Sequence, residues 1–310
     1  MGARMIKRKF FKRKDGLIAG ILLFPILTLL LIFYVYPVFH NIWISMTNYS
    51  GLRLKNYGFV GLKNYRQILI DGVSGFTSML VWTVVFAICV VILSFLLGLL
   101  IAVLLEKENV KLARIYRGIF ILPWVIPSVV TLLLWRGFLD TTDGIVNQLL
   151  SIVGIPAIPW LTDPNMARIS SILVMVWFSF PYFITVSQGI LQSISATYYE
   201  AARIDGATAA QLFFNITIPF VVKAILPTLV MAFIMQFNQF GMYMLTAGGP
   251  AAEHLGDPGS TDLLITYVFN MAFNNYRYDL AAAYAVIIFI FVAIFSFFAM
   301  RTGKRIGQDS

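Results

Sequence analysis

The chain has 310 residues, of which 59% are hydrophobic and only 12% are charged, and its mean hydropathy is +0.83. A soluble globular protein is about one quarter charged, so this composition excludes a water-soluble domain and predicts an all-α integral membrane protein. The net charge of +9 predicts contact with lipid headgroups and no nucleic-acid partner, because the basic residues flank apolar runs and form no basic, aromatic platform.

Six apolar runs are long enough to cross a bilayer, since one helical span takes about 20 residues. We predict spans at residues 17–39, 76–105, 115–138, 169–191, 222–246 and 278–300. The basic residues 1–16 precede this transmembrane domain, which occupies 17–300, and a short tail at 301–310 follows it. Prolines predict bends in the third and fourth spans, namely Pro123, Pro127 and Pro181.

The distribution of Lys and Arg predicts which ends of the spans are cytoplasmic. Residues 1–16 hold seven of the 23 basic residues and the loop 106–117 holds four, whereas 139–167 and 247–276 hold none. By the positive-inside rule, both termini and the loop between the fourth and fifth spans face the cytoplasm. Residues 40–75 contain several basic side chains and are the exception among the outer loops.

The loop between the fourth and fifth spans, residues 197–219, predicts a helical hairpin. Thr197 and Glu200 have the spacing of a capping box, which starts a short helix. Asp205 and Gly206 end that helix, because glycine adopts the left-handed conformation that terminates helices.

The second arm of this hairpin has its own start signal. Thr208 and Gln211 repeat the capping-box spacing, so we predict a second short helix there. Exposed apolar side chains on such a hairpin need a groove on a partner, whereas an ordinary cytoplasmic loop is the alternative interpretation. The apolar side chains of this second helix are Leu212, Phe213 and Ile216.

Residues 200–219, EAARIDGATAAQLFFNITIP, resemble the EAA loop that permease subunits of ABC importers present to their ATPase. The resemblance implies the type I importer permease fold with 197–219 as its coupling loop. It also implies three kinds of partner: a second related permease, an ATP-hydrolysing dimer and an extracytoplasmic sugar-binding protein. The positions carried over as ATPase-coupling residues are Glu200, Ala201, Ala202, Asp205, Gly206, Ala207 and Phe213.

The sequence lacks the GxxxxGK[ST] loop that binds nucleotide phosphates. We therefore expect ATP and Mg²⁺ to be bound by the partner ATPase. The sequence also shows no nucleophile–base constellation and no metal-ligand spacing of His or Cys, so we expect no catalytic residue, no metal ligand and no cofactor in this chain. The chain is then a non-enzymatic subunit that gates and conducts a solute.

Two spans carry polar and aromatic side chains of the kind that line a path for a neutral, polar solute such as a sugar. They are Trp177, Ser179 and Tyr182 in the fourth span, and Gln236, Asn238, Gln239 and Tyr243 in the fifth. The spacing of Gln236, Gln239 and Tyr243 predicts that these three share one helical face. Hydrogen bonding between helices is the alternative explanation for amides in an apolar span.

Residues 175–277 are similar to the F-type permease of maltose and maltodextrin importers, including the segments TAGGP at 246–250 and STDLLITYVFNMAF at 260–273. Counted without gaps from Glu200, the sugar contacts of that family fall on Ser179, Tyr182, Met235, Gln236 and Gln239. Two of these positions depart from the family, with Ser179 in place of a glycine and Met235 in place of a phenylalanine. The departures leave the identity of the sugar open, but not its class.

The resemblance favours import of maltose or a malto-oligosaccharide across the cytoplasmic membrane of a bacterium or archaeon. A permease for another neutral oligosaccharide or for glycerol phosphate is the nearest alternative, although glycerol phosphate would need Arg or Lys facing the path. An ion-coupled carrier would need a series of ionisable residues within the spans, and a membrane enzyme would need a reactive cluster. The sequence shows neither of these features.

Overall fold

The structure is a computed structural model that describes residues 13–70, 75–106, 112–250 and 257–308. Within these ranges the chain is helical and contains no strand, as the sequence predicts; Thr47 and Phe59 form an isolated bridge. Most of the predicted basic segment 1–16 lies outside the described residues. The helices of the first half are α1 (Arg13–Leu30), α2 (Tyr36–Ser45), α3 (Lys63–Leu69), α4 (Phe76–Leu105), α5 (Ala113–Val125), α6 (Ser128–Phe138) and α7 (Ile145–Ile152).

Three short π-helical segments interrupt or extend these helices, at Leu31–Val35, Phe213–Thr217 and Asn270–Asn274. The helices of the second half are α8 (Pro164–Ser193), α9 (Ala196–Ile204), α10 (Ala209–Leu212), α11 (Ile218–Phe237), α12 (Met242–Thr246), α13 (Leu264–Phe269) and α14 (Tyr278–Gln308).

The described residues contain five helical units that are long and apolar enough to cross a membrane, and a sixth if the bent pair α5 and α6 counts as one span. The five units are Ile18–Ser45, Phe76–Leu105, Pro164–Ser193, Ala209–Phe237 and Tyr278–Ala299. This agrees with the six-helix membrane architecture expected from the sequence.

The third predicted span, 115–138, is two helices rather than one bent helix. Helices α5 and α6 meet at an angle of 91° at Ile126 and Pro127. Ile126 is extended because the ring of the following proline disfavours helical geometry at the preceding residue. Pro127 itself has no N–H to continue the helix, so the chain turns sharply there.

Several predicted boundaries differ from the helices. The first unit continues to Ser45, beyond the predicted end at residue 39, and α14 runs through most of the predicted tail to Gln308. Helix α8 starts at Pro164, five residues before the predicted span, because Asp163 caps it through its Oδ1, which accepts from two backbone N–H groups. Helix α4 has the same bounds as the predicted second span.

The fifth predicted span, 222–246, is wrong at its end. Helix α11 stops at Phe237, and the residues that follow make a turn before the separate helix α12. Amide side chains take over backbone hydrogen bonds at this stop: Asn238 Nδ2 donates to Ile234 O (3.0 Å), and Gln239 Oε1 accepts from Gly241 N (3.2 Å). Gln236, Gln239 and Tyr243 therefore do not lie along one continuous helix, contrary to prediction.

Helices α4 and α8 pack closely side by side. A Cβ placed on Gly98 of α4 would lie 2.6 Å from Phe183 Cβ and 2.9 Å from Ile184 N, so only glycine permits this approach. Where α4 ends, Glu106 accepts a hydrogen bond from Gln192 (3.2 Å) near the end of α8. Because their carboxyl ends meet, the two helices run in the same direction.

The segment that joins α11 to α14 is anchored by a buried carboxylate. Asp262 Oδ2 accepts from Gly259 N (3.0 Å) and its Oδ1 accepts from Thr266 Oγ1 (2.7 Å). Burial raises the pKa of the Asp262 carboxyl above its usual range, partly offset by these hydrogen bonds. This anchor holds α13 against the turn that precedes it.

Helix α1 lies outside the packed core. None of the α1 side chains that the structure describes is buried, although the helix is strongly apolar. The core instead joins α4, α8, α11 and α14, with rings such as Phe237 and Phe291 stacked at 5.0 Å. Helix α1 must therefore be covered by lipid or by another chain.

We expect Gly98→Ala to destabilise the protein, because the added methyl group would force α4 and α8 apart; overpacking of this kind costs about 1–3 kcal/mol. Gly118→Ala is the matched control, since a Cβ on Gly118 of α5 would meet no atom within 4 Å. Thermal unfolding of the purified protein in detergent measures both. Equal midpoints for Gly98→Ala and the unmodified protein would contradict the close approach.

Candidate functional site

The predicted hairpin is present, but its first helix starts earlier than expected. Ser195 is the N-cap of α9, and its Oγ accepts from Thr197 N (3.4 Å). Helix α9 therefore begins at Ala196, and the predicted capping box at Thr197 and Glu200 is wrong. Both serine and threonine are good N-cap residues, so the pattern alone did not separate two candidates two positions apart.

The turn after α9 has the geometry that the sequence predicts. Gly206 has φ +82°, the left-handed conformation that favours glycine. Ala207 N donates to Ala202 O (2.9 Å) and Gly206 N donates to Arg203 O (3.1 Å), the paired bonds of a Schellman motif. The helix stop at Asp205 and Gly206 is thus confirmed as a structural feature.

The predicted capping box at Thr208 is also confirmed. Thr208 Oγ1 accepts from Gln211 N (3.4 Å), and Gln211 Oε1 accepts from Thr208 N (2.8 Å). The helix that starts here is not a separate short element, however. Helix α10 continues through the π-helical segment Phe213–Thr217 into α11, so the second arm of the hairpin is the first part of a long helical unit, Ala209–Phe237.

The two arms are tied together at their base. Tyr199 Oη lies 3.0 Å from Thr217 Oγ1, which joins α9 to the π-helical segment. The rings of Tyr198 and Phe220 pack at 5.4 Å. The hairpin is therefore held to the long helical unit by a polar contact and an aromatic contact.

The exposed apolar side chains are not those that the sequence predicts. Leu212 and Phe213 are half-buried, whereas Ile204 at the end of α9 is 86% exposed and Phe214 is also exposed. Ile204 precedes the helix stop and lies outside the second arm, where the sequence predicts the exposed apolar side chains.

A groove of about 250 Å³ lies between the arms of the hairpin. Four of the predicted coupling residues line it, together with Gln211: they are Ala202, Asp205, Gly206 and Ala207. The other three predicted residues do not line it. Glu200 and Ala201 are exposed on α9, and Phe213 lies on the second arm.

The predicted path residues Ser179 and Gln236 are brought together. Gln236 Nε2 of α11 donates to Ser179 Oγ of α8 (3.1 Å), and Ser179 is buried. The other polar atom of the amide, Gln236 Oε1, is buried and has no hydrogen-bond partner in the described part of the chain. An unpaired buried acceptor costs about 1–3 kcal/mol, so this atom favours an incoming donor.

Tyr182 lies one helical turn from Ser179 on α8 and is half-buried. Its ring packs at 6.0 Å from Trp124, which lies just before the break between α5 and α6, and at 5.3 Å from Phe183. Trp124 is not among the residues that the sequence pattern predicts for this region.

The side chains of the remaining two predicted path residues, Met235 and Gln239, make no hydrogen bond or ring contact with another of the described helices. Met235 is 70% exposed and faces away from the packed side of α11. Gln239 uses its carboxamide oxygen to accept from Gly241 N within its own turn. The Ser179–Gln236 bond is also an interhelical hydrogen bond, so the alternative explanation for these amides accounts for part of the cluster.

The sequence matches the family model described as binding-protein-dependent transport system inner membrane component over residues 94–308. The chain belongs to this family. It is therefore a membrane component of a transport system, and the resemblance noted for its hairpin is confirmed at the level of the family.

Two relatives show how the chain compares with named proteins. It is 32% identical over 293 residues to the galactooligosaccharides transport system permease protein GanP of Bacillus subtilis, with 92% of this chain and 70% of that protein covered. It is 36% identical over 282 residues to the maltodextrin transport system permease protein MalC of Streptococcus pneumoniae, with 86% of this chain covered. Only 65% of MalC is covered, so the chain spans slightly less than two thirds of that relative.

One solved structure shows the same fold. It is a bacterial alginate ABC transporter in complex with an alginate pentasaccharide-bound periplasmic protein, with a TM-score of 0.74 at 23% identity. The similarity covers 95% of this chain and 96% of that one. The helical arrangement is thus that of an ABC importer permease.

Thr208→Ala should loosen the hairpin, because removal of an N-cap side chain costs a helix about 0.5–2 kcal/mol. Amide hydrogen exchange of residues 209–212 in the purified protein should become faster. Thr197→Ala is the matched control, since the Thr197 side chain does not cap α9, and it should leave these rates unchanged. Faster exchange in both variants, or in neither, would contradict the capping assignments.

Proposed function

We propose that the chain is the permease subunit of an ATP-driven ABC importer for a neutral oligosaccharide, with maltodextrin as the favoured solute. The observation that carries the class of solute is the similarity to two permeases whose names specify oligosaccharides. The higher identity, 36%, is to the maltodextrin permease. Galacto-oligosaccharide is the second candidate, because the similarity to GanP covers more of this chain.

The path chemistry supports a neutral sugar. Gln236 Oε1 offers an acceptor for a sugar hydroxyl, and Tyr182 offers an aromatic face against which a sugar ring packs. Helix α8 has one basic residue, Arg168, in its second turn, and Lys223 lies near the start of α11, so neither is beside Gln236. Neither α8 nor α11 therefore supplies the cation beside Gln236 that a glycerol phosphate would need for its charge.

The hairpin is proposed to dock onto an ATP-hydrolysing partner dimer, with the groove and the exposed Ile204 as contact points. ATP and Mg²⁺ would be held by that partner, and this chain would supply no catalytic residue. A second related permease and an extracytoplasmic sugar-binding protein complete the proposed importer. Glu106, at the carboxyl end of α4, contacts Arg117 and also Gln192, near the end of α8, the helix that leads into the hairpin. We place these ends of α4 and α8, together with both termini of the chain, in the cytoplasm.

The continuity of the second arm gives the coupling a mechanical route. The unit Ala209–Phe237 joins the groove of the hairpin to Gln236 without an intervening loop. At about 1.5 Å of rise per residue, this unit transmits a displacement over roughly 40 Å. Closure of the partner ATPases would then move the hairpin and the sugar contact together, as one part of a rocking transition.

The solute itself is identified by stimulation of ATP hydrolysis. The complex of this chain with its partner permease and ATPase, reconstituted with the binding protein, should hydrolyse ATP faster when the binding protein carries maltodextrin. Stimulation only by galacto-oligosaccharide would favour the second candidate. Absence of stimulation by any oligosaccharide would overturn the proposed class.

Gly206→Pro should uncouple transport from ATP hydrolysis, because proline is confined to negative φ and the turn requires +82°. Glu200→Lys should act in the same direction by reversing a charge on the exposed face of α9. Both proteins should still insert into the membrane, yet lose association with the ATPase or sugar-stimulated hydrolysis. Normal stimulation in both variants would exclude the hairpin as the docking site.

Tyr182→Ala and Gln236→Ala should each reduce uptake of the sugar while complex assembly and basal ATP hydrolysis stay normal. Loss of one neutral hydrogen bond costs about 0.5–1.5 kcal/mol, or up to roughly tenfold in binding, and loss of the aromatic face costs more. Val222→Ala truncates an exposed side chain elsewhere on α11 and is the control. Uptake at the unmodified rate in both site variants would show that the path lies elsewhere.

A further inference from the structure

Four aromatic side chains form a second cluster beyond the proposed sugar contacts. The outer aromatic cluster consists of Phe240, Tyr243, Phe269 and Phe273. Phe240 stacks on Tyr243 with their ring planes 12° apart, and the ring of Phe269 lies 5.1 Å from Phe240 and 4.9 Å from Tyr243. Phe273 extends the row, 4.8 Å from Phe269.

Hydrogen-bonding groups alternate with these rings. Asn274 Nδ2 donates both to Tyr243 Oη (3.3 Å) and to Asn270 Oδ1 (2.7 Å). Tyr243 Oη therefore accepts a hydrogen bond, and its own proton has no acceptor in the part of the chain that the structure describes. The cluster thus combines aromatic faces with an amide and a hydroxyl that can bond to an incoming group.

The cluster lies outside the helical units that could cross a membrane. It belongs to the segment 238–277, between the unit that ends at Phe237 and the one that begins at Tyr278. Phe273 is 63% exposed and Asn274 is also exposed. Both lie in the π-helical segment Asn270–Asn274, and such segments are frequent at functional sites.

The cluster directly follows the proposed sugar contacts along the chain. Gln239, one of the predicted contacts, directly precedes Phe240. Its side chain stabilises the turn at 239–241, because its Oε1 accepts from Gly241 N. Gln236 lies three residues before Gln239, at the end of α11. Phe240, the first ring of the cluster, is therefore the residue that follows these two glutamines in the chain.

We propose that the outer aromatic cluster is a second sugar subsite, which holds the rings of an oligosaccharide that extend beyond those at Tyr182 and Gln236. The proposal rests on the proposed function, because it assumes that the solute is an oligosaccharide. Aromatic faces alternating with amide and hydroxyl groups match a chain of sugar rings, which present apolar faces and a rim of hydroxyls. A lipid acyl chain has no hydrogen-bonding groups that could pair with these amides.

The test compares substrates of different length in proteoliposomes that contain the complete complex and a saturating amount of loaded binding protein. Phe273→Ala should lower the maximal uptake rate of maltohexaose about two- to tenfold and leave that of maltose unchanged, since one ring contact is lost only by the longer sugar. Tyr243→Phe, which keeps the ring and removes the hydroxyl, should show a smaller loss with the same dependence on length.

Phe289→Ala is the matched control, because Phe289 of α14 is 67% exposed and lies outside the cluster. It should leave both rates unchanged. Equal losses for maltose and maltohexaose, or no loss for either in both cluster variants, would overturn the second subsite.

The failure of the proposed function is distinguishable from the failure of the subsite. If the unmodified complex imports galacto-oligosaccharides and no glucose oligosaccharide, the choice of maltodextrin is overturned. The same comparison, made with a short and a long galacto-oligosaccharide, then decides the subsite. An unmodified complex that imports no oligosaccharide overturns both.

Discussion

The close approach of α4 and α8 at Gly98 is the constraint on which the rest of the structure depends. It brings Phe183 against α4, where its ring meets that of Phe95 edge to face at 6.0 Å. Helix α8 is thereby fixed, and with it the positions of Ser179, one helical turn before Phe183, and of Tyr182. Helix α11 then packs against this pair, which is how Gln236 comes within hydrogen-bond distance of Ser179.

The sequence predicted those helices best whose boundaries coincide with a change in polarity. Helix α4 is an uncharged run between Gly75 and Glu106, and its predicted and observed bounds agree. The end of α11 was missed because Asn238 and Gln239 sit in an apolar stretch, where counting apolar residues does not register their competition for backbone hydrogen bonds. The break at Pro127 was expected as a bend within one span, because a proline interrupts a helix without specifying the size of the angle, which is 91°.

Only the local features of the candidate site could be predicted from the sequence. The capping box at Thr208 and the stop at Gly206 follow from local chemistry and were found. The pairing of Ser179 with Gln236 joins residues 57 positions apart, so only the fold could show that these two of the five predicted contacts touch. The exposure of Ile204 and the packing of Trp124 on Tyr182 also depend on how helices end and cross, which a single sequence does not specify.

Helix α1 has a consequence for how the protein is made. It emerges from the ribosome before the helices of the core, and none of its described side chains is buried against them. Its insertion therefore draws only on the transfer of its own apolar surface into lipid, the first of the two stages by which helical membrane proteins assemble. Folding of the core holds only the far end of the same helical unit, where Asn41 of α2 donates to Ala282 O of α14 (3.3 Å), so the tilt of α1 is set by the neighbours that it meets in the bilayer.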